Sequence, residues 1–357
     1  MILYIGLTVF VCCTALLIKE NCIKGTKQWA LNKTARGFIV FLLFMLSACR
    51  MAVGNDYWVY KINFDVIDSP EAYTIAYEHG FKFVVLAMRF IFGKDCYRLI
   101  FALFAFVTIL FFVKALEWQS EWFALSLFLV MTNGFYFSSF NSIRYYLVFA
   151  IALYSIRFIF EGRYTEFLFT IALAATMHKT VLVVIPAFLI CKLKWKKPFI
   201  LLLTLFSASL VFCRGLYRRI IFLFYPFYEG NAFDNYEISY ANVLKAAAVI
   251  GFCLLFYKSS IRDNEKHAFY FKLNVLAFIV YTCCYFIPEY TRIGYYFSAS
   301  HVFLLPGILA GIEDRKKKIF WSAVIMAAYG AYFVFFLKSC YNNDIRLLPY
   351  YSWVFPF

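Results

Sequence analysis

Phe81-Lys82-Phe83-Val84-Val85-Leu86-Ala87-Met88-Arg89-Phe90-Ile91-Phe92-Gly93 is the stretch on which the topology of this chain turns. It is strongly apolar, yet it stops at a glycine well short of the about 20 residues that a helix needs to cross a hydrocarbon core. It also carries Lys82 and Arg89. Both features favour a helix lying in the membrane interface, or re-entering it, over one that spans it. If it did span, every later loop would change sides. The basic clusters Lys192 to Lys197 and Arg315 to Lys318 would then face outward, against the rule that inner loops carry the positive charge.

The surrounding composition requires a membrane. With 64% hydrophobic residues, 15% charged residues and a mean hydropathy of +0.73, the chain has too little polar surface to cover a soluble globule. The expected class is therefore all-α and polytopic. A net charge of +15 raises the question of nucleic acid, but the basic residues scatter over helix ends and form no stripe on a soluble domain. Anionic lipid or an anionic substrate is the partner that this charge implies. The 11 cysteines show no CxxC and no Cys/His metal spacing, and Cys12, Cys13, Cys49, Cys253, Cys283 and Cys284 lie inside apolar runs, as small core side chains do. In the first run, Met1 to Ile18, the positive charges follow the apolar segment, which reads as a retained helix with its N-terminus outside.

From that start the chain threads as helices at 1–18 and 37–50, an outer-face segment at 51–97 holding the interfacial helix, and further helices at 98–116, 122–138 and 143–160. The apolar stretch 165–191 is interrupted by His178-Lys179 and reads as two short helices meeting near the outer face. Helices at 198–213, 240–257, 268–287, 294–312 and 319–337 complete about twelve crossings, with a second outer loop at 214–239 and both termini outside. A single integral membrane domain over residues 1–357 is expected. In this threading Lys dominates the inner loops, as insertion requires. Arg dominates the outer face: Arg50, Arg89, Arg98, Arg144, Arg214, Arg218, Arg219, Arg292 and Arg346.

Lys would serve topology equally well, so repeated Arg points to geometry. A planar, permanently charged fork binds phosphate through paired hydrogen bonds. Arg50, Arg144 and Arg292 stand beside acids, phenols and turns at helix ends. Arg214 and Arg218, one helical turn apart, and the adjacent Arg219 could clamp the same diphosphate. After Arg50, the turn-forming Gly54-Asn55 would fold Asp56 back over the arginine, where a carboxylate can act as base toward a sugar hydroxyl. His178, a titratable group at membrane depth, is a proton acceptor or phosphate donor, and Glu289 in Pro288-Glu289-Tyr290-Thr291-Arg292 is a second candidate base. Tyr57, Tyr60, Tyr290 and Tyr295 are candidate glycan contacts. The chain has no DxD, P-loop, GxGxxG, HExxH or GxSxG motif. That pattern favours a lipid-linked substrate whose diphosphate is held by arginines, with no metal and no cofactor.

Arg50 with Gly54-x-Asp56-Tyr57-x-x-Tyr60, Ser142-Ile143-Arg144 at a helix start, His178-Lys179 followed by Pro186, Arg292 with Tyr295-Tyr296, and Pro349-Tyr350 together resemble the EpsG branch of the Wzy-type polysaccharide polymerases. The likeness departs at Tyr145, where a Gln or similar polar residue would be expected. It implies a GT-C-like architecture in the bacterial cytoplasmic membrane and functional roles for Arg50, Asp56, Arg144, His178 and Arg292. The implied reaction polymerises undecaprenyl-diphosphate-linked oligosaccharide, with lipid-linked donor and acceptor and the lipid diphosphate as leaving group. A chain-length regulator and a flippase are the implied protein partners. Two alternatives use the same diphosphate chemistry: an O-antigen-ligase-like transferase, and a transporter or flippase of lipid-linked oligosaccharide.

Overall fold

The computed structural model describes the chain except residues 20–21, 70–76, 232, 342–345 and 355–357. It is helical throughout its regular structure. The helices are α1 (Ile2–Ala15), α2 (Lys27–Ala48), α3 (Asp56–Val66), α4 (His79–Phe92), α5 (Tyr97–Gln119), α6 (Phe123–Thr132), α7 (Phe135–Ser138), α8 (Ile143–Phe160), α9 (Tyr164–Ala175) and α10 (Val184–Lys192). They continue as α11 (Lys197–Phe212), α12 (Arg214–Phe224), α13 (Tyr240–Leu255), α14 (Glu265–Cys283), α15 (Tyr290–Ser298), α16 (His301–Ala310) and α17 (Arg315–Ser339).

Local chemistry sets several of these boundaries. Thr26 caps α2 by accepting from the Trp29 amide at 3.2 Å, Asn264 caps α14 through His267, and Asp314 caps α17 through Lys316 and Lys317. Gly134, at φ +77°, ends the helix that the hydropathy carried through to residue 138 and separates α6 from α7.

The chain forms a polytopic membrane protein. Among the described residues, α2, α5, α8, α17 and the unit of α15 with α16 are long and apolar enough to cross a bilayer. The pair α11 and α12, bent by 83°, could add one more. These five or six spans fall short of the twelve crossings read from hydropathy, because several apolar runs fold as helices of 10 to 17 residues. α14 is long enough but too polar to join the set. Its polar groups are met inside the bundle: Asn274 donates to Ser300 at 2.8 Å, Tyr270 to Gln119 at 2.9 Å, and Lys272 to the carbonyls of Cys191 and Leu193.

Contacts sort the loops into two ends. At one end Arg36 pairs with Glu117 at 3.3 Å, His267 with Glu121 at 2.9 Å and Lys192 with Glu265 at 2.7 Å. At the other end the Tyr4 hydroxyl donates to the Leu347 carbonyl at 2.8 Å, and the chain after α2 runs beside the tail through Met51 N–H to Tyr351 at 2.9 Å and Trp353 N–H to Cys49 at 3.1 Å. Both ends of the 51–97 segment lie there. Cys49 meets Trp353, and the Arg98 guanidinium lies 5.2 Å from the Trp353 ring.

α4 buries Phe81, Val85 and Arg89 one turn apart and leaves Phe83, Phe90, Ile91 and Phe92 exposed, the pattern of a helix lying on the bundle. Arg89, which has no neighbouring acid in sequence, donates to the Phe64 carbonyl and pairs with Asp68 at 3.1 Å, tying α4 to α3.

Candidate functional site

Five chain segments converge at the tail-bearing end. Gly54 adopts φ +90°, and a Cβ there would stand 2.7 Å from the Phe140 carbonyl and 2.9 Å from the Asn141 Cα. Only glycine lets the turn after α2 lie this close to the chain before α8. The turn delivers Asp56 to the first position of α3, where its amide donates to Asn141 Oδ1 at 3.0 Å and its carboxylate accepts from Ser142 Oγ at 3.1 Å. Burial pushes the Asp56 carboxyl above its ordinary value; the Ser142 bond, then Arg292 and Arg144, oppose the rise.

Arg144, on the first turn of α8, forms an ion pair with Glu78, and its guanidinium lies 4.1 Å from the Tyr77 ring. Glu78 also accepts the Lys179 amide at 3.1 Å, which joins the start of α4 to the break between α9 and α10. His178 stands in that break. Its Nδ1 accepts from the Thr180 amide at 3.4 Å and contacts the Thr180 hydroxyl at 2.9 Å, which in turn meets Tyr296 at 3.1 Å. An accepting Nδ1 places the proton of the neutral ring on Nε2. Burial first, then Arg144 and Arg292, push the imidazole down to about 3, so it is neutral at physiological pH.

Arg292, on the first turn of α15, pairs with Glu289 at 2.7 Å. Tyr145 joins it to the rest: the phenol donates to the Arg292 carbonyl at 2.7 Å, and its ring packs at 5.8 Å against His178 and 5.3 Å against Tyr296. The position where the resemblance leads one to expect Gln thus keeps a polar group that fastens α8 to α15. The loop between α12 and α13 reaches the cluster through Tyr228, an electrostatic neighbour of Arg292, Glu289 and Arg144.

Asp56, Arg144, His178, Glu289 and Arg292 therefore form one cluster of neighbouring charged and polar groups; other candidates lie apart from it. Arg50 is 2% exposed, held between Phe101 at 4.9 Å and Phe140 at 5.3 Å, and donates to the Ser47 carbonyl. The turn at Gly54 folds Asp56 toward Arg144 and Arg292, not over Arg50, which braces the wall from behind. Arg218 is taken up by Asp234 and Tyr236, Arg214 donates to Tyr285 at 2.9 Å, and Arg219 is exposed on α12.

The tyrosines also divide. Tyr57 is 1% exposed and stacks on Phe101 at 4.8 Å, so its face is closed to a sugar. Tyr60, buried beside it, is hydrogen-bonded to Arg144. Tyr290 accepts from the Ser239 amide at 2.7 Å and donates to the Glu237 carbonyl at 3.1 Å, holding the second loop in place. Tyr295 is half-buried against Phe135. Sequence reading missed Glu78, Tyr77, Thr180 and Tyr228, none of which has a local signal, and it named Ser142 only as part of the motif before Arg144, without its bond to Asp56.

The arrangement defines a class: a polytopic membrane protein that gathers two arginines, three carboxylates and a neutral histidine at one end of its helices, a site suited to an anionic group beside a proton acceptor. A family model described as the EpsG family matches residues 33–352. The chain belongs to the EpsG family, a family of Wzy-type polysaccharide polymerase-like proteins. No curated protein and no solved structure matches it.

Proposed function

We propose that the protein is a membrane glycosyltransferase that polymerises undecaprenyl-diphosphate-linked oligosaccharide repeat units at the outer face of the bacterial cytoplasmic membrane. In this reading the helices make a GT-C-like bundle of about twelve crossings, short helices included, with both termini outside. A carboxylate raised by burial and facing two arginines, Asp56 with Arg144 and Arg292, is the observation that carries it. An acceptor sugar hydroxyl attacks the anomeric carbon of the donor glycan, and its proton passes to Asp56. The bond from that carbon to the diphosphate oxygen breaks, and its electron pair leaves on the lipid diphosphate. Arg144 and Arg292 stabilise that charge, and the His178 Nε2–H supplies a neutral donor. The arginines provide the positive charge, so the step as written uses no metal.

Glu78 and Glu289 hold the two guanidiniums in place before substrate arrives. Tyr228, half-buried beside the same cluster, replaces Tyr57 as a surface for a sugar ring. A substrate completed on the inner face needs a flippase to reach this end, and polymer length calls for a regulator.

The test supplies purified protein in vesicles with lipid-linked repeat units. A ladder of elongated glycans supports the reading. Transfer of a single unit to another acceptor would indicate a ligase, and relocation across the bilayer without elongation would indicate a flippase.

A further inference from the structure

A groove of about 520 Å³ runs between α13 and α17, with Leu305 of α16 at its floor. From Ala241 to Leu255 it follows α13 for about 21 Å at 1.5 Å per residue, much of the roughly 30 Å thickness of a hydrocarbon core. Its rim carries the exposed side chains of Leu244, Leu255 and Phe335. Lys245 and the hydroxyls of Tyr329 and Tyr332 are the main polar groups in a largely apolar wall. Among the described residues Lys245 meets neutral groups, Asn133 Oδ1 at 3.3 Å and the Tyr332 ring at 4.7 Å. Tyr329, 8% exposed, lines the same groove, and its hydroxyl has no hydrogen-bond partner among the described residues. A cation without a carboxylate and an orphaned hydroxyl at membrane depth both call for an anion.

A side-chain contact beside the groove ties its wall to the site. Asn242, one turn before Lys245 on α13, reaches the Tyr295 hydroxyl at 3.5 Å, and Tyr295 lies one turn after Arg292 on α15.

We propose that this groove seats the polyprenyl chain of the lipid-linked substrate where it joins the diphosphate, with Lys245 and Tyr329 meeting the lipid-proximal phosphate and the chain lying along Ala248, Phe252 and Trp321. The inference rests on reading the substrate as a lipid diphosphate. It assigns the tail a fixed track, so that the scissile bond is presented from the Arg292 side.

The probe is a polyprenyl diphosphate bearing a diazirine on its first isoprene unit, photolysed with purified protein in phosphatidylcholine vesicles. Label is expected within 244–255 and 321–335. It should fall about tenfold in Lys245→Ala and in Ala248→Trp, return in Lys245→Arg, and stay unchanged in Leu201→Trp on exposed α11, all as monodisperse protein. Label elsewhere, label unaffected by both groove variants, or displacement by excess phosphatidylglycerol would overturn it. Wild-type protein that labels in the groove but makes no glycan ladder would refute the polymerase reading alone. A ladder without groove label would refute the groove alone.

Discussion

Asp56 stays poised because two opposed influences act on one carboxylate: burial favours its neutral form, while Ser142, Arg292 and Arg144 favour the charged one. As a base it must be ionised, so the rate should climb with pH through a value above that of an ordinary aspartate. Ser142→Ala removes the first of the groups favouring the anion and should move that limb to higher pH, seen in initial rates between about pH 4 and 8. Asp56→Asn should lower polymerisation by about 10² to 10⁴ without loss of protein, and full-length polymer in that strain would remove Asp56 as base. Arg144→Lys and Arg292→Lys keep the charge but lose the fork; each should cost about 10² to 10³ in rate, measured as glycan ladder formation. For stability the histidine has the opposite sign from the aspartate. The pKa of His178 is depressed in the fold, so its contribution is present above about 6.5 and is lost as pH falls toward 3. The acid-side drop in melting temperature should therefore shrink in His178→Asn. Arg144, His178 and Arg292 were legible in the sequence because each interrupts or opens an apolar run. Glu78 was not, since its pairing with Arg144 spans 66 residues and nothing local marks it. Tyr57 misled because an aromatic beside an acid reads the same whether it faces a sugar or Phe101.

Helix ends do most of the positioning. α3, α8 and α15 all begin at the cluster and turn the positive ends of their dipoles toward an anion, and the break between α9 and α10 adds His178. The Gly54 turn links this arrangement to Asp56. Gly54→Ala forces a left-handed backbone onto a residue with a Cβ that also meets Phe140, so a loss of about 1 to 3 kcal/mol is expected in thermal unfolding, together with a fall in rate. Hydropathy recovered α5, α8 and the interruption at His178 closely, because long apolar runs and a charged break are strong signals. It overran at Gly134, where one left-handed residue ends a helix inside unbroken apolar sequence. It also missed that α12 is a helix turned by 83°, a direction that hydrophobic pattern does not encode. α14 shows the converse, a polar-looking helix kept inside because its partners come from residues far away in sequence.

At the scale of the molecule, the apparent excess of outer arginine resolves into separate uses. Arg144 and Arg292 belong to the cluster, Arg50 braces it from behind, Arg89 ties two helices together, and Arg218 holds a loop. The parity fixed by Phe81 to Gly93 puts α4 at the tail-bearing end, and which face of the membrane that end occupies can be measured. Cys213, exposed at the corner of α11 and α12, should react with an impermeant maleimide in intact cells, while Cys22, before α2 at the opposite end, should react only after permeabilisation. The reverse result would invert the orientation and move the cluster to the cytoplasm. The hydroxyl of Tyr4 and the carbonyl of Leu347 meet at that same end, beside the tail segment that runs along Arg50. That junction joins residues 343 positions apart in the sequence. Until the residues after α17 are in place, the turn bearing Asp56 lacks the Arg346 carbonyl that accepts its Gly54 N–H, so a chain stalled short of that point would present its charged groups to membrane proteases before it could meet a substrate.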